Sequence, residues 1–207
     1  MRKPPAVKSA RDTAYEYLKS SIVAGELKPD EIIDDAEIAA ICGISRTPVR
    51  EALIQLEKVG LIVAAPRRRP AVAPSRGDDV EQILAPLGAL QALAARLAAP
   101  AATESDVARM TDINQRIIHA AEASEWAEAA VLDMEFHGVL VQRSENRFLI
   151  AEVENLQTLF TRATTLYMRN RGPDQNSVQE HEAIIGAVRK KDGSLAGEAT
   201  AKNFGRR

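Results

Sequence analysis

Apolar residues recur through most of this chain at the three-and-four spacing of a helix, and one short stretch near residue 60 breaks that pattern. Ala14, Tyr15, Leu18, Ile22 and Val23 share one helical stripe, which Gly25 ends ahead of Leu27-Lys28-Pro29. Asp34, three residues before Glu37, predicts a capping box opening a short second helix through Ile38, Ala39 and Ile41 to Gly43. Ser45 predicts the cap of a third helix reaching Gly60, with Val49, Ala52, Leu53 and Leu56 as its core face. Two helices joined across Cys42-Gly43-Ile44 make a helix-turn-helix. After Gly60, Leu61-Ile62-Val63 and Ala71-Val72-Ala73 flank Pro66-Arg67-Arg68-Arg69-Pro70, which predicts two short strands around a basic tip: a wing.

Beyond Pro74-Ser75-Arg76-Gly77-Asp78-Asp79, which reads as a linker, the helical period predicts helices near 79–99, 103–123, 125–144, 146–170, 177–191 and 194–204. Gly172-Pro173-Asp174 is the clearest internal break, and Trp126 is expected to pack at a helix start. The fold class is mainly α: an N-terminal winged helix-turn-helix with a small two-stranded wing, plus an all-α helical-bundle domain. The expected division is a tail at 1–9, the winged helix at 10–74, a linker at 75–78 and the helical domain at 79–207.

Composition agrees with a folded protein, at 45% hydrophobic and 27% charged residues, and 4% aromatics with Ala-rich runs favour close-packed helices over sheet. The single cysteine, Cys42, excludes an intramolecular disulfide and a Cys-rich zinc site, fits a reducing compartment, and reads as a small core residue. The most apolar stretch, 83–99, is interrupted by Pro86, Gln91 and Arg96, and Met1-Arg2-Lys3-Pro4-Pro5 lacks the apolar run of a signal peptide. A cytoplasmic location with no membrane partner is the expectation. The net charge of -2 conceals a small basic excess in residues 1–74, with 12 Lys+Arg against 10 Asp+Glu. Any DNA binding must therefore rest on where the basic groups sit.

At 100° per residue Arg46 and Arg50 lie one above the other, away from the apolar stripe of the third helix. A guanidinium near the start of a recognition helix can donate two hydrogen bonds to guanine O6 and N7, and Ser45 and Thr47 can reach phosphates. The same pair could be a solvated helix face, but its place beside Arg67, Arg68 and Arg69 favours DNA. Asp133 and His137, four apart, share a helix face and can hold one metal ion between them, with a third ligand from elsewhere; His181 is a candidate. Spacing alone fits solvated or hydrogen-bonded histidines equally well. Arg162 could clamp a carboxylate through its planar fork, or be an ordinary structural residue.

Gly43-Ile44-Ser45-Arg46-Thr47-Pro48-Val49-Arg50-Glu51-Ala52-Leu53, followed by Leu56-Glu57 and Gly60-Leu61-Ile62, resembles the DNA-binding domain of GntR-family regulators over residues 10–74. The resemblance implies that Ser45, Arg46, Thr47 and Arg50 contact an operator and that the wing tip enters the minor groove. The wing departs from the family in having Arg69-Pro70 where a Gly is usual, and Asp30 stands where the turn after Pro29 commonly has Gly. Asp133-Met134-Glu135-Phe136-His137, Glu180-His181 and the stretch 187–192 resemble the FCD effector domain of FadR-type members, over 79–207. That resemblance implies a divalent ion such as Zn²⁺ or Ni²⁺ held by one Asp and three His, with an organic-acid effector able to coordinate it. Asp133, His137 and His181 match three ligands; Asn203 stands near the place of the fourth, and His119 matches none. Leu87 and Gln91 occupy positions where many such domains carry Arg and Glu.

The implied function is a ligand-responsive transcription regulator, not an enzyme, acting as a homodimer on double-stranded operator DNA. Two alternatives differ in the helical domain: one that only dimerises or senses the metal itself, and a metal-dependent hydrolase using Asp133, His137 and His181 around an activated water. The hydrolase lacks an HExxH motif and leaves the winged helix without a purpose.

Overall fold

The computed structural model describes residues 8–65, 68–167 and 177–205, so the expected break at Gly172-Pro173-Asp174 lies outside the described residues. The chain divides into two compact units, Met1–Gly77 with Thr161–Tyr167, and Asp78–Phe160 with Met168–Arg207.

In the first unit α1 (Ala10–Val23), α2 (Asp35–Cys42) and α3 (Arg46–Lys58) precede strands β1 (Ile62–Val63) and β2 (Ala71–Val72). The predicted stripes are the core: Ala14, Leu18 and Ile22 of α1 and Val49, Ala52 and Leu56 of α3 are fully buried. Two caps differ from expectation. Asp34 accepts from the N–H of Ala36 at 2.8 Å, one residue short of the position a capping box uses, and the reciprocal bond from Glu37 does not form among the described residues. Ser45 occupies the N-cap of α3 with extended backbone, yet its hydroxyl makes no capping bond. The third helical position is Pro48, which has no N–H to offer. Cys42 is half-buried at the end of α2 rather than in the core.

The wing strands pair antiparallel, Ile62 with Val72 and Val63 with Ala71. A third segment joins them. Ile32 bridges to Ala71, the N–H of Asp30 donates to the Val72 carbonyl at 3.1 Å, and that of Val72 donates to the Glu31 carbonyl at 2.8 Å. Asp30 turns the chain there with φ of 65°, a left-handed conformation that glycine adopts without a Cβ clash and Asp tolerates.

The second unit holds α4 (Asp79–Ala98), a 3₁₀ turn (Ala99–Ala101), α5 (Glu104–Glu122), α6 (Trp126–Arg143), most of α7 (Arg147–Tyr167), α8 (Ser177–Arg189) and α9 (Gly193–Phe204). With the turn that follows it, α4 is apolar and long enough to cross a bilayer, at mean hydropathy 1.4, but it is a core helix here. Leu84, Leu87, Ala94, Ala95 and Ala98 are buried, and α4 packs against α6 and α9. α5 opens with a true capping box between Thr103 and Asp106, and Asp106 also takes Arg143 from the end of α6 at 2.9 Å. Burial alone would raise the Asp106 carboxyl, but the Arg143 and Thr103 hydrogen bonds outweigh it and hold the group below the usual carboxylate range. Trp126 starts α6 as expected but is 40% exposed, so it packs little.

α4 and α9 approach closely because small residues line the contact. A Cβ on Gly88 would stand 2.7 Å from Cβ of Phe204, and one on Gly193 would meet the Arg96 carbonyl oxygen of the backbone, which cannot swing aside. Gly193→Ala is accordingly expected to destabilise the helical unit by about 1 to 3 kcal/mol through overpacking. Hydrogen exchange at the α4 and α9 amides measures this locally; unchanged protection would show that the two helices can separate at little cost.

Candidate functional site

The start of α3 carries the first candidate site. Ser45, Arg46, Thr47 and Arg50 are all exposed, and Ser45 and Thr47 line an open depression together with Ser9, Arg11, Pro48 and Glu51. Ser9 is itself the N-cap of α1, so the N-terminal ends of two helices open on one face, where free N–H groups favour phosphate. Sequence reasoning missed Ser9 and Arg11, which lie outside the helix-turn-helix motif. Arg68 and Arg69 of the wing are exposed, with Nη1 of Arg69 3.5 Å from Oδ2 of Asp34; Arg67 lies outside the described residues.

Arg46 and Arg50 do not project independently. Arg46 reaches Oδ1 of Asp35 through Nε at 3.0 Å and Nη2 at 2.5 Å, and Nε of Arg50 reaches Oδ2 at 2.5 Å. Hydrogen bonds from Arg46 first, and from Arg50 second, hold the Asp35 carboxyl below its usual range.

The second candidate site lies inside the helical unit. α6 presents Asp133 and His137 one turn apart, α8 presents His181, and α9 presents Asn203; all four are buried. The ligand atoms of Asp133, His137 and His181 lie within 4.8 Å of one another. Phe136 stacks on His181 with centroids 4.0 Å apart, and Phe204 lies 4.8 Å from the ring of His137. These aromatic walls keep the local dielectric low.

The orientation of His181 follows from its neighbours. Asn114, fully buried on α5, donates through Nδ2 to Oε1 of Glu182 at 2.9 Å and toward the Val178 carbonyl at 3.4 Å. Its Oδ1 therefore faces Nδ1 of His181 at 3.0 Å and must accept from it. Nδ1 is therefore a donor, and Nε2 is turned to Oδ1 of Asp133 at 3.4 Å. An imidazole nitrogen and a carboxylate oxygen that face each other are a donor pair that a divalent ion can share. Metal–ligand bonds of about 2.0 to 2.2 Å place tetrahedral ligand atoms about 3.3 to 3.6 Å apart, so this pair already has the separation a divalent ion needs. The widest pair in the cluster must close further. Two imidazoles and a carboxylate suit Zn²⁺ and its neighbours better than Ca²⁺ or Mg²⁺. Asn203 donates through Nδ2 to Oε2 of Glu180 at 3.0 Å, so its carbonyl oxygen is the atom it has for a cation.

Arg162 belongs to α7. It is buried, Nη2 donates to the Ala73 carbonyl, and 161–167 group with the first unit. Its guanidinium already serves a backbone acceptor. His119 is exposed on α5, and Leu87 and Gln91 are buried on α4.

Residues 82–205 match the FCD domain, and residues 10–72 match the bacterial regulatory proteins of the gntR family. The chain belongs to the GntR family. It is 30% identical over 193 residues to the HTH-type transcriptional regulator YdhC of Bacillus subtilis, covering 92% of this chain and 85% of that protein. It is 27% identical over 191 residues to the transcriptional repressor RspR of Escherichia coli K12, covering 92% and 83%. The structure of E. coli McbR/YncC shares the fold, with TM-score 0.78 at 21% identity over 97% of this chain and 95% of that one. The protein is thus a GntR transcriptional regulator with an FCD domain; such regulators bind operator DNA, usually as dimers, and FCD domains often bind metal.

Asn114 was the missed member of the second site, although its position on the Val107, Met110, Ile113, Ile117 stripe of α5 was legible as buried. Asn114→Leu is expected to leave the bundle folded and lower the affinity for added Zn²⁺ by about 10- to 100-fold, the usual cost of losing a residue that orients a ligand. Competition with a chromogenic chelator measures it; unchanged affinity would show that His181 needs no orienting partner.

Proposed function

We propose that this GntR regulator binds a palindromic operator as a homodimer in the cytoplasm, and that a small carboxylate effector acts on its helical domain through a divalent ion. The domain division is read as a tail at 1–9, a winged helix at 10–74, a linker at 75–78 and the effector-binding and dimerising part at 79–207. Ser45 and Thr47 bind phosphates, Arg46 and Arg50 read base edges, and Arg67, Arg68 and Arg69 meet the backbone through charge. Asp133, His137 and His181 hold the ion, Zn²⁺ or Ni²⁺, with Asn203 as the weaker fourth ligand. When bound, the ion offers positions to the oxygens of an organic acid. Arg162 is the weaker candidate for clamping the effector carboxylate through its planar fork.

The observation that carries it is the buried meeting of Asp133, His137 and His181 within the region that matches the FCD domain. Two imidazoles and a carboxylate gathered in an apolar bundle form a donor set that suits a divalent transition ion. The 3.4 Å approach of Nε2 of His181 to Oδ1 of Asp133 supports a shared ion there.

On the DNA side, Arg46→Ala and Arg50→Ala should each weaken operator binding by about 1 to 3 kcal/mol at fixed salt. Their exposed side chains leave the core unaffected, so thermal unfolding should not move. Normal affinity in both variants would sink the base-reading roles.

On the metal side, Asn203→His should raise Zn²⁺ or Ni²⁺ affinity about tenfold or more, equivalent to about 1.4 kcal/mol, while His137→Ala should abolish stoichiometric binding. Elemental analysis and chelator competition on the three proteins decide. A wild type that takes up no ion, with neither substitution changing uptake, would leave the pocket to hydrogen bonding alone. Titrating carboxylates into the loaded protein separates an effector site from a sensor of the metal itself.

A further inference from the structure

We propose that Asp35 is a specificity-determining residue of the DNA interface: it holds the guanidiniums of Arg46 and Arg50 on its two carboxylate oxygens and so fixes the geometry in which they read bases. The inference rests on the reading that these two arginines contact base edges.

Asp35 belongs to α2, not to the recognition helix, and follows the cap residue Asp34 directly. Its backbone is fixed by the helix, and its charge sits at a helix N-terminus that favours an anion. The side chain is only 16% exposed, whereas those of Arg46 and Arg50 are 57% and 66% exposed. A short, anchored carboxylate therefore positions two long, otherwise mobile side chains. Arg46 spends Nε and Nη2 on Oδ1, and Arg50 spends Nε on Oδ2. Each guanidinium has five N–H donors, so the Nη1 groups of both and the Nη2 group of Arg50 stay outside these bonds, available to guanine O6 and N7.

Two effects follow. Ordering the arginines before DNA arrives removes side-chain entropy that binding would otherwise cost, and it does so in one geometry, which favours the matching sequence over others. One carboxylate between two cations also leaves a single net positive charge, which weakens attraction to any phosphate backbone regardless of sequence. Both raise the ratio of operator to non-specific binding. A role confined to helix capping would change stability and leave that ratio alone.

The test uses the full chain and a duplex selected by the wild type from a random-sequence pool, with its single-base variants and an unrelated duplex, all at one salt concentration. Asp35→Asn, which keeps the shape and loses the charge, should tighten binding to the unrelated duplex and lower the operator-to-unrelated affinity ratio by about tenfold or more, within the range that one base contact supplies. The slope of log K against log salt on the unrelated duplex should steepen by about 0.9, one more effective contact. An unchanged ratio overturns the proposal, including the case in which both affinities rise together and Asp35 merely brakes DNA binding. Should Asp35→Asn fail to fold, Asp35→Glu moves the carboxylate by one methylene and must still relax base preference; unaltered preference overturns the proposal equally. Arg46→Ala and Arg50→Ala on the same duplexes separate the two levels. If they lower the ratio while Asp35→Asn does not, only the role of Asp35 falls; if they leave the ratio intact, base reading by the arginines falls and takes Asp35 with it.

Discussion

A carboxylate and two imidazoles enclosed by phenylalanine rings are the constraint around which the helical unit is arranged. Asp133, His137 and His181 are each at most 4% exposed, and polar groups buried to that degree are costly unless every donor meets an acceptor and charge is compensated. The four helices α5, α6, α8 and α9 answer that demand together. α6 supplies two of the groups, α8 the third, α5 brings Asn114 to orient it, and α9 brings Asn203 against Glu180. Around this polar centre the packing is ordinary: Phe136, Ile113, Ile117, Leu132 and Ile184 form one apolar cluster with it. The glycine contacts between α4 and α9 matter to the same end, because Phe204, which lies on the ring of His137, is also the residue that Gly88 admits.

The first unit depends on different chemistry. Its core is small, formed by α1, α3 and the base of the wing, and it serves to present one exposed helix N-terminus. Ser45 is exposed at that terminus and its hydroxyl makes no capping bond. The unsatisfied N–H groups, the hydroxyls of Ser45 and Thr47 and the neighbouring cap of α1 then share a face suited to an anion.

The helices and the wing were legible in the sequence because periodicity and punctuation agree with tertiary packing: each expected helix of the second unit appears within two or three residues of its place, and Ile62–Val63 and Ala71–Val72 pair as the pattern requires. The differences are local and physical. Glu37 does not complete a capping box because Asp34 takes the Ala36 N–H instead. The bridge of Ile32 to Ala71 escaped notice because a single extended residue has no period. Of the candidate site residues, those with a fixed spacing, such as Asp133 and His137, could be found from the chain alone. Partners brought together across 67 residues, as Asn114 and His181 are, leave no local trace, and Arg162 could not be assigned because a lone arginine carries no spacing at all.

The two sites share one device. In each, a side chain proposed to carry the recognition chemistry is held by a short polar residue anchored on a neighbouring helix: His181 by Asn114, Arg46 and Arg50 by Asp35. Short side chains have few rotatable bonds, so the anchor itself costs little entropy to fix, and it transmits the geometry of helix packing directly to the donor or acceptor it holds. This arrangement converts the rigidity of a hydrophobic core into the placement of a polar atom. It also explains why neither histidine spacing nor arginine spacing alone carries the chemistry. The spacing sets which groups share a face, whereas the anchor on the adjacent helix decides which nitrogen points outward.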